Sequence, residues 1–259
     1  MGVHYPSSVF GPIHSRRLGT SLGINLMPAT RKCCNFNCIY CECGWNDPGS
    51  VSGHLPTVEE FSLALEAKLK ELQAQGIVPD VFTYSGNGEP TSHPDFLPIM
   101  RRTVALRDTY FPKAQVCVLS NSGFIHRPAV VEALMLADKR ILKVDSAIDS
   151  TVAAINQPVP SYSLAATIEG LKRFDGNFTL QTLFMSGSFG GKEIDNTTDV
   201  EVAAWLDMVK VLHPREVMIY TLDRETPAEG LFKCPVERMR QIAASVQALG
   251  LGIQTQVAQ

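Results

Sequence analysis

From residue 57 to the end of the chain, segments with helical spacing of apolar residues alternate with short, largely apolar runs. "TVEEFSLALEAKLKELQAQG" (57–76) has the spacing of a helix, with Thr57 placed to cap its start and Gly76 its end. Further helices are expected at 93–110, 127–137, 163–174, 199–212 and 235–250. Strands are expected between them, at 80–86, 114–123, 140–148, 177–187 and 215–224. "LGTSLGINLMP" (18–28) supplies a strand ahead of the series, and "GIQTQVAQ" (252–259) a short extra one. Alternation of this kind predicts parallel βαβ units. About six repeats fall short of a complete eight-fold barrel. The expected fold class is therefore α/β, a partial (β/α)6 barrel of the TIM type, with an open doubly wound sheet as the competing arrangement. One domain is expected over 1–259: an N-terminal extension (1–23), a six-stranded core (24–225), and a C-terminal helix with the extra strand (226–259).

In either arrangement ligands gather at the carboxyl ends of the strands. The unusual motifs sit there. A cysteine-rich loop follows the first strand, "SGNGEP" the second and "SNSG" the third; "KVDS" ends the fourth, and "TLDRETP" follows the sixth. All of them fall on one predicted rim.

The loop after strand one, "CCNFNCIYCEC" (33–43), holds five of the chain's seven cysteines. So dense a run suits metal ligation better than a spread of disulfides. Cys34, Cys38 and Cys41 form C-x3-C-x2-C, and three thiolates on a short loop can hold three irons of a [4Fe–4S] cluster, leaving the fourth open. A structural zinc site needs four ligands, and the chain has no second C-x2-C or H-x3-H pair. Starting from Cys33 instead gives C-x4-C-x2-C, the plant-type [2Fe–2S] spacing, with Cys117 or Cys234 as a distant fourth ligand.

"CNFNCIYC" followed by "SGNGEP" and "SN" resembles the radical S-adenosylmethionine (SAM) superfamily over nearly the whole chain. "VFGPIHSRRLGTSLGINLMP" and "YTLDRETPAEG" further resemble its branch of small Fe–S oxidoreductases related to wyosine-base (tRNA) synthases. The resemblance implies that Cys34, Cys38 and Cys41 ligate one [4Fe–4S] cluster, since residues 1–32 contain no cysteine for a second. It implies that Tyr40 packs against adenine and that Gly88, Glu89 and Pro90 form the edge receiving the methionine amino group. Ser120 and Asn121 would lie near the ribose or the methionine carboxylate, and Gln181 would complete the SAM-facing set. The implied reaction is one-electron reductive cleavage of SAM to methionine and a 5′-deoxyadenosyl radical, which abstracts hydrogen from a substrate. An external reductant of flavodoxin or ferredoxin type would supply the electron. A non-catalytic iron–sulfur electron carrier is the alternative from another class; it would need four protein ligands and no SAM site.

On the substrate side, Lys143 and Asp145 stand two apart on strand four and so point the same way. A lysine buried there could bind an anion or form a Schiff base. With Arg224, and with Arg16 and Arg17 of "HSRRLG" (14–19), they suggest a barrel mouth suited to a small anionic molecule. "SGSFGGKEIDN" (186–196) is glycine-rich enough for a lid or a disordered loop. Net charge is −3, from 23 Lys and Arg against 26 Asp and Glu, so no global field draws the chain to nucleic acid or an anionic membrane. A small substrate is accordingly favoured over tRNA. No apolar run is long enough to span a bilayer, and "MGVHYPSSVFGP" lacks a signal-peptide layout. The expected location is the cytoplasm, where thiols stay reduced.

Overall fold

A computed structural model describes residues 2–15, 19–46 and 53–258. Its main sheet runs β1 (Val9–Ser15), β2 (Gly19–Ile24), β3 (Val81–Tyr84), β4 (Gln115–Ser120), β5 (Lys139–Lys143), β6 (Thr179–Leu183), β9 (Glu216–Tyr220), β11 (Gln254–Ala258). All neighbours pair in parallel except β1, which lies antiparallel on β2. Helices α1 (Val58–Ala74), α2 (Phe96–Tyr110), α3 (Pro128–Met135), α4 (Asp149–Asn156), α5 (Leu164–Lys172), α6 (Asp199–Leu212) and α7 (Val236–Ala248) form the crossovers. This is the partial barrel that the alternation predicts.

The inner strands β3 to β6 and β9 are buried on two faces, and each face has its own use. Phe82, Tyr84, Val116, Val118, Leu142, Leu180, Val217 and Ile219 join the large core beneath the helices. Their neighbours Val81, Cys117, Ile141 and Met218 form a separate small cluster on the opposite face. Successive side chains point to opposite faces of a strand, so one run serves helix packing and barrel filling together.

The helices follow the same economy of pattern. Thr57 accepts the Glu60 N–H at 3.2 Å, while the Glu60 carboxylate accepts the Thr57 N–H at 2.8 Å, a complete capping box. From that start α1 buries Phe61, Leu65, Leu69 and Leu72 along one stripe, each worth about 1.5–3 kcal/mol relative to exposure.

Three features depart from the sequence reading. Residues 186–196 are neither lid nor disordered loop: β7 (Met185–Phe189) and β8 (Lys192–Asp195) form a hairpin, and β10 (Leu231–Lys233) pairs with β7 to complete a second sheet. The glycines that suggested mobility sit at the turn, where Gly190 and Gly191 have φ of 59° and 75°. Helix α4 was not anticipated, because eight mostly small or polar residues carry little periodic signal. Strand β1 falls in the expected N-terminal extension. Arg16 and Arg17 lie outside the described residues.

Candidate active site

The cysteine loop has almost no regular structure of its own, so its shape is imposed by neighbours. Cys33 N–H donates to the Asn87 carbonyl at 2.7 Å, which lays the loop along the "GNGEP" turn as a parallel bridge between Cys33 and Gly88. Ile39 N–H donates to Ile155 O and Asn37 N–H to Asn156 O, each at 3.0 Å, pinning the loop to the end of α4. Asn46 Nδ2 donates to the carbonyls of Cys34 and Phe36 at 3.0 and 3.1 Å. Ile39, fully buried, anchors the stretch between Cys38 and Cys41 in an apolar cluster with Ile155, Leu183, Met185 and Ile194. The β7–β8 hairpin thus packs directly on the cysteine loop.

Cys34, Cys38 and Cys41 line one cavity of about 220 Å³, shared with Gly88, Glu89, Ser120, Asn121, Lys143, Asp145 and Gln181. Each thiol has a polar donor beside it. Cys34 Sγ accepts the Phe36 N–H at 3.4 Å and Asn121 Nδ2 at 3.5 Å. Cys38 Sγ accepts Asn156 Nδ2 at 3.4 Å. Near Cys41, the Lys32 ammonium donates to the Gly44 carbonyl at 3.0 Å and the Cys43 thiol to the Gly86 carbonyl at 3.3 Å. Burial pushes the Cys34 and Cys38 thiols up, whereas the Cys43 thiol, together with Lys32, holds Cys41 low. Among the described residues, no three His, Cys, Asp or Glu side chains converge on one metal ion. Three thiols spread around a cavity suit a cluster, in which each thiolate takes its own iron, better than a single zinc. The ferredoxin register gathers less. Cys33 is exposed, Cys117 is buried in the small interior cluster and Cys234 in the main core.

The "GNGEP" turn is built as a rigid edge. Asn87, fully buried, receives the Tyr5 N–H at 2.8 Å and donates to the Tyr5 and Pro28 carbonyls at 2.9 and 2.8 Å. The bridge to Cys33 uses Asn87 O and Glu89 N–H, which turns Gly88's own peptide groups to the other side. The Glu89 carboxylate, 2% exposed, accepts from Thr91 N–H (3.0 Å), Thr91 Oγ1 (2.5 Å), Ser120 Oγ (2.8 Å) and Asn121 N–H (2.6 Å). Burial raises its carboxyl against those bonds. Glu89 therefore ties the end of β3 to the end of β4, and Pro90 opens the short 3-10 turn that follows. Ser120 and Asn121 are engaged in that scaffold, and Asn121 Nδ2 also donates to the Cys34 sulfur at 3.5 Å and to Asn35 Oδ1 at 2.8 Å, contacts that sequence reading did not foresee.

Lys143 and Asp145 face the cavity as an ion pair, with Lys143 Nζ donating to Asp145 Oδ1 at 2.5 Å. Burial alone would lower Lys143, but the Asp145 carboxylate and Tyr220 together outweigh it and hold the ammonium above its ordinary value. In this arrangement Lys143 is engaged with Asp145. Asp145 Oδ2 accepts the Tyr40 hydroxyl at 2.5 Å and Asn156 Nδ2 at 2.7 Å, and Leu183 N–H donates to Oδ1 at 2.9 Å. The Lys143 ammonium also sits 4.9 and 4.8 Å from the ring centroids of Tyr40 and Tyr220. Tyr40 is thus fixed at its hydroxyl and covered on its ring by Lys143. Asn156 and Lys32 were missed by sequence reasoning. Lys32 was findable as a cation next to a thiol run; Asn156 was not, because its helix was not.

A second cavity of about 580 Å³ adjoins the first and shares Tyr40, Cys41, Cys43, Leu119 and Gln181 with it. Gln181 Nε2 donates to Met218 Sδ at 3.4 Å at this junction. Tyr5, His14, Thr221, Asp223 and Arg224 line the outer chamber. Arg224 is at its exposed edge, 2.7 Å from the Glu42 carboxylate. Of the four cations expected to receive an anion, Lys143 and Arg224 are therefore paired, and Arg16 and Arg17 lie outside the described residues.

No protein-family model matches the chain. The UPF0026 protein of Helicobacter pylori is 29% identical over 240 residues, covering 91% of this chain and 71% of that protein. The UPF0026 protein of Synechocystis is 29% identical over 234 residues, covering 88% and 80%. The chain also matches the GTPase Obg of Brachyspira hyodysenteriae at 28% identity, but spans only 31% of that protein's length. Among solved structures, a radical SAM methyltransferase from Sphaerobacter thermophilus superposes with a TM-score of 0.65 at 17% identity, covering 92% of this chain and 65% of the other. The structure of TYW1 with a lysine-pyruvate adduct bound gives 0.62 at 11% identity, covering 90% and 75%. Streptococcus suis SuiB bound to S-adenosylmethionine gives 0.63 at 12% identity, covering 92% and 50%. The fold of this chain is the fold of radical SAM enzymes.

Proposed function

We propose that this chain is a radical SAM enzyme, with Cys34, Cys38 and Cys41 holding one [4Fe–4S] cluster and SAM lying across the rim formed by Gly88–Pro90, Ser120 and Asn121. The observation that carries this reading is that the three thiols of C-x3-C-x2-C line one cavity together with both strand-end motifs. When bound, the pair supplies reductive cleavage of SAM and, through it, abstraction of hydrogen from a substrate.

The chain's own residues bind, orient and exclude water. Glu89 holds two strand ends in one register, so that Gly88 and Asn121 face the same space. Gly88's outward peptide groups offer an acceptor for an ammonium, and Gln181 is a polar group at the junction with the outer chamber. Phe36, Leu119, Val144 and Val152 give the inner cavity apolar walls, which keep water from a reactive centre. A flavodoxin- or ferredoxin-type protein is the proposed reductant and the cytoplasm the proposed location; among the described residues no helix is long and apolar enough to cross a membrane.

The substrate is proposed to be a small molecule in the outer chamber. Among the described residues, Lys143 is matched by Asp145 and Arg224 by Glu42. These paired groups suit an uncharged or zwitterionic polar molecule, while Arg16 and Arg17, outside the described residues, keep the anion as a second reading. The reading is tested by SAM binding to anaerobically reconstituted protein. Wild type is expected to bind SAM with a change in the cluster's absorption, and Cys34→Ala to lose it; equal binding by the two would remove the cluster from the SAM site.

A further inference from the structure

Asn156 is the last residue of α4, 3% exposed, and its amide faces three groups. Nδ2 lies 2.7 Å from Asp145 Oδ2, 3.0 Å from Tyr40 Oη and 3.4 Å from Cys38 Sγ. The neighbours fix which way the amide points. A carboxylate only accepts, so the atom 2.7 Å from Asp145 is the NH2 and not the carbonyl oxygen. The same NH2 then faces the sulfur. Its two protons serve three acceptors: one goes to Asp145, and the other lies between the tyrosine oxygen and the thiol.

We infer that Asn156 is a positioning residue that couples the Cys38 ligand to the buried Lys143–Asp145–Tyr40 network, so that the charges of the cavity set the reduction potential of the cluster. This rests on the radical SAM reading above and goes beyond it, because that reading needs only the three thiols. Two facts carry it. The first is geometry: Asn156 touches a proposed ligand sulfur and the carboxylate of an ion pair through one nitrogen. The second is burial: the Asp145 side chain is 1% exposed and Lys143's 15%, so their fields are weakly screened by water. A hydrogen bond to a ligand sulfur stabilises the more negative, reduced cluster and raises its potential. Asp145 holds the amide in the pose that makes this bond. Lys143 in turn holds Asp145, and its positive charge acts in the same direction as the amide.

The arrangement makes signed expectations that a merely structural role would not. Asn156→Ala removes the donor and shifts the potential to more negative values. Asn156→Ser keeps a short donor and recovers part of that shift. Lys143→Gln, which touches none of the three thiols, also shifts it negative. Asp145→Asn removes a negative charge and shifts it positive. The expected size for Asn156→Ala is about a tenfold fall in the reduced-to-oxidised ratio at a fixed solution potential, which corresponds to about 59 mV for a one-electron couple.

The experiment is a redox titration of the reconstituted full chain without SAM, followed by electron paramagnetic resonance, with iron counted in each variant. Matching iron content and the ordered shifts would support the inference. A potential unchanged in Asn156→Ala at full iron content would overturn it. Should Asn156→Ala or Lys143→Gln fail to take up iron, the Asn156→Ser and Asp145→Asn pair decides: shifts of opposite sign support it, and shifts of the same sign or none overturn it. A wild-type chain that takes up no cluster would end the functional reading itself, an outcome distinct from a cluster indifferent to Asn156.

Discussion

Gly88→Ala is the most revealing single perturbation, because Gly88 is where the "GNGEP" edge meets the ligand loop. Its φ is +146°, a conformation L side chains rarely adopt. A Cβ built there would stand 1.7 Å from the Cys33 carbonyl oxygen, where real contacts essentially never fall under 3.0 Å. The two segments must therefore part by at least about 1.3 Å. The 2.7 Å bond from Cys33 N–H to Asn87 O does not survive that displacement, and neither does the 3.4 Å bond from Glu89 N–H to Cys33 O. Two lost backbone bonds cost about 1 kcal/mol each, and the backbone strain adds about 1–2 kcal/mol. The expected destabilisation is about 3–4 kcal/mol in urea unfolding, with reduced iron uptake because Cys34 follows Cys33. Gly76→Ala is the control. Its φ is +68° but a Cβ there meets nothing within 4 Å, so only the strain of about 1–2 kcal/mol remains. If Gly88→Ala were no more costly than Gly76→Ala and kept full iron, the reasoning that the bridge sets the ligand loop would be wrong.

Cys34→Ala is expected to abolish cluster uptake and Cys33→Ala to spare it, because Cys33 is exposed while Cys34 faces the cavity; iron analysis showing the reverse would restore the ferredoxin register. Tyr40→Phe removes the donor on Asp145 Oδ2 but leaves Asn156, Lys143 and Leu183 N–H in place, so it should cost about 1.5 kcal/mol, the low end for a bond to a charged group. A neutral or stabilising result in urea unfolding would contradict that accounting. His93 is buried, with Nδ1 accepting the Asp95 N–H at 3.0 Å and Nε2 facing the Pro56 carbonyl at 3.1 Å, which makes it a neutral tautomer. Burial holds its imidazole below the ordinary value of 6.5. The unfolded chain therefore takes up the proton first, and stability falls as pH drops through about 6.5. His93→Gln should flatten the change in Tm between about pH 7.5 and 5.5; an unchanged slope would refute the assignment.

Much of the barrel was legible because its strands and helices each carry a strong local pattern. Thr57 and Glu60 announce α1, and the runs that became β3, β4 and β6 are apolar enough to require burial on two faces. The hairpin of 185–195 was misread because glycine at positive φ marks a tight turn as well as a mobile loop, and its partner β10 lies some forty residues on, a pairing that no local window contains. The positions of Cys34, Cys38 and Cys41 in the sequence suggested one site, and the folded chain brings them to one cavity with Gly88, Glu89, Ser120, Asn121 and Gln181. What could not be read was the engagement of each group. Lys143 and Asp145 two apart on a strand gave a shared direction, but not that they neutralise one another, nor that Asn156 from an unforeseen helix joins them to a thiol. Partners fixed by tertiary contact leave no periodic trace.

The account's central claim is that this chain uses a three-cysteine cluster to cleave SAM. Its most direct test is to reduce the anaerobically reconstituted protein, add SAM, and quantify methionine and 5′-deoxyadenosine. The account predicts both products in equal amounts from wild type and neither from a chain lacking Cys34, Cys38 or Cys41. A reducible cluster that leaves SAM intact would contradict it and favour a simple electron carrier.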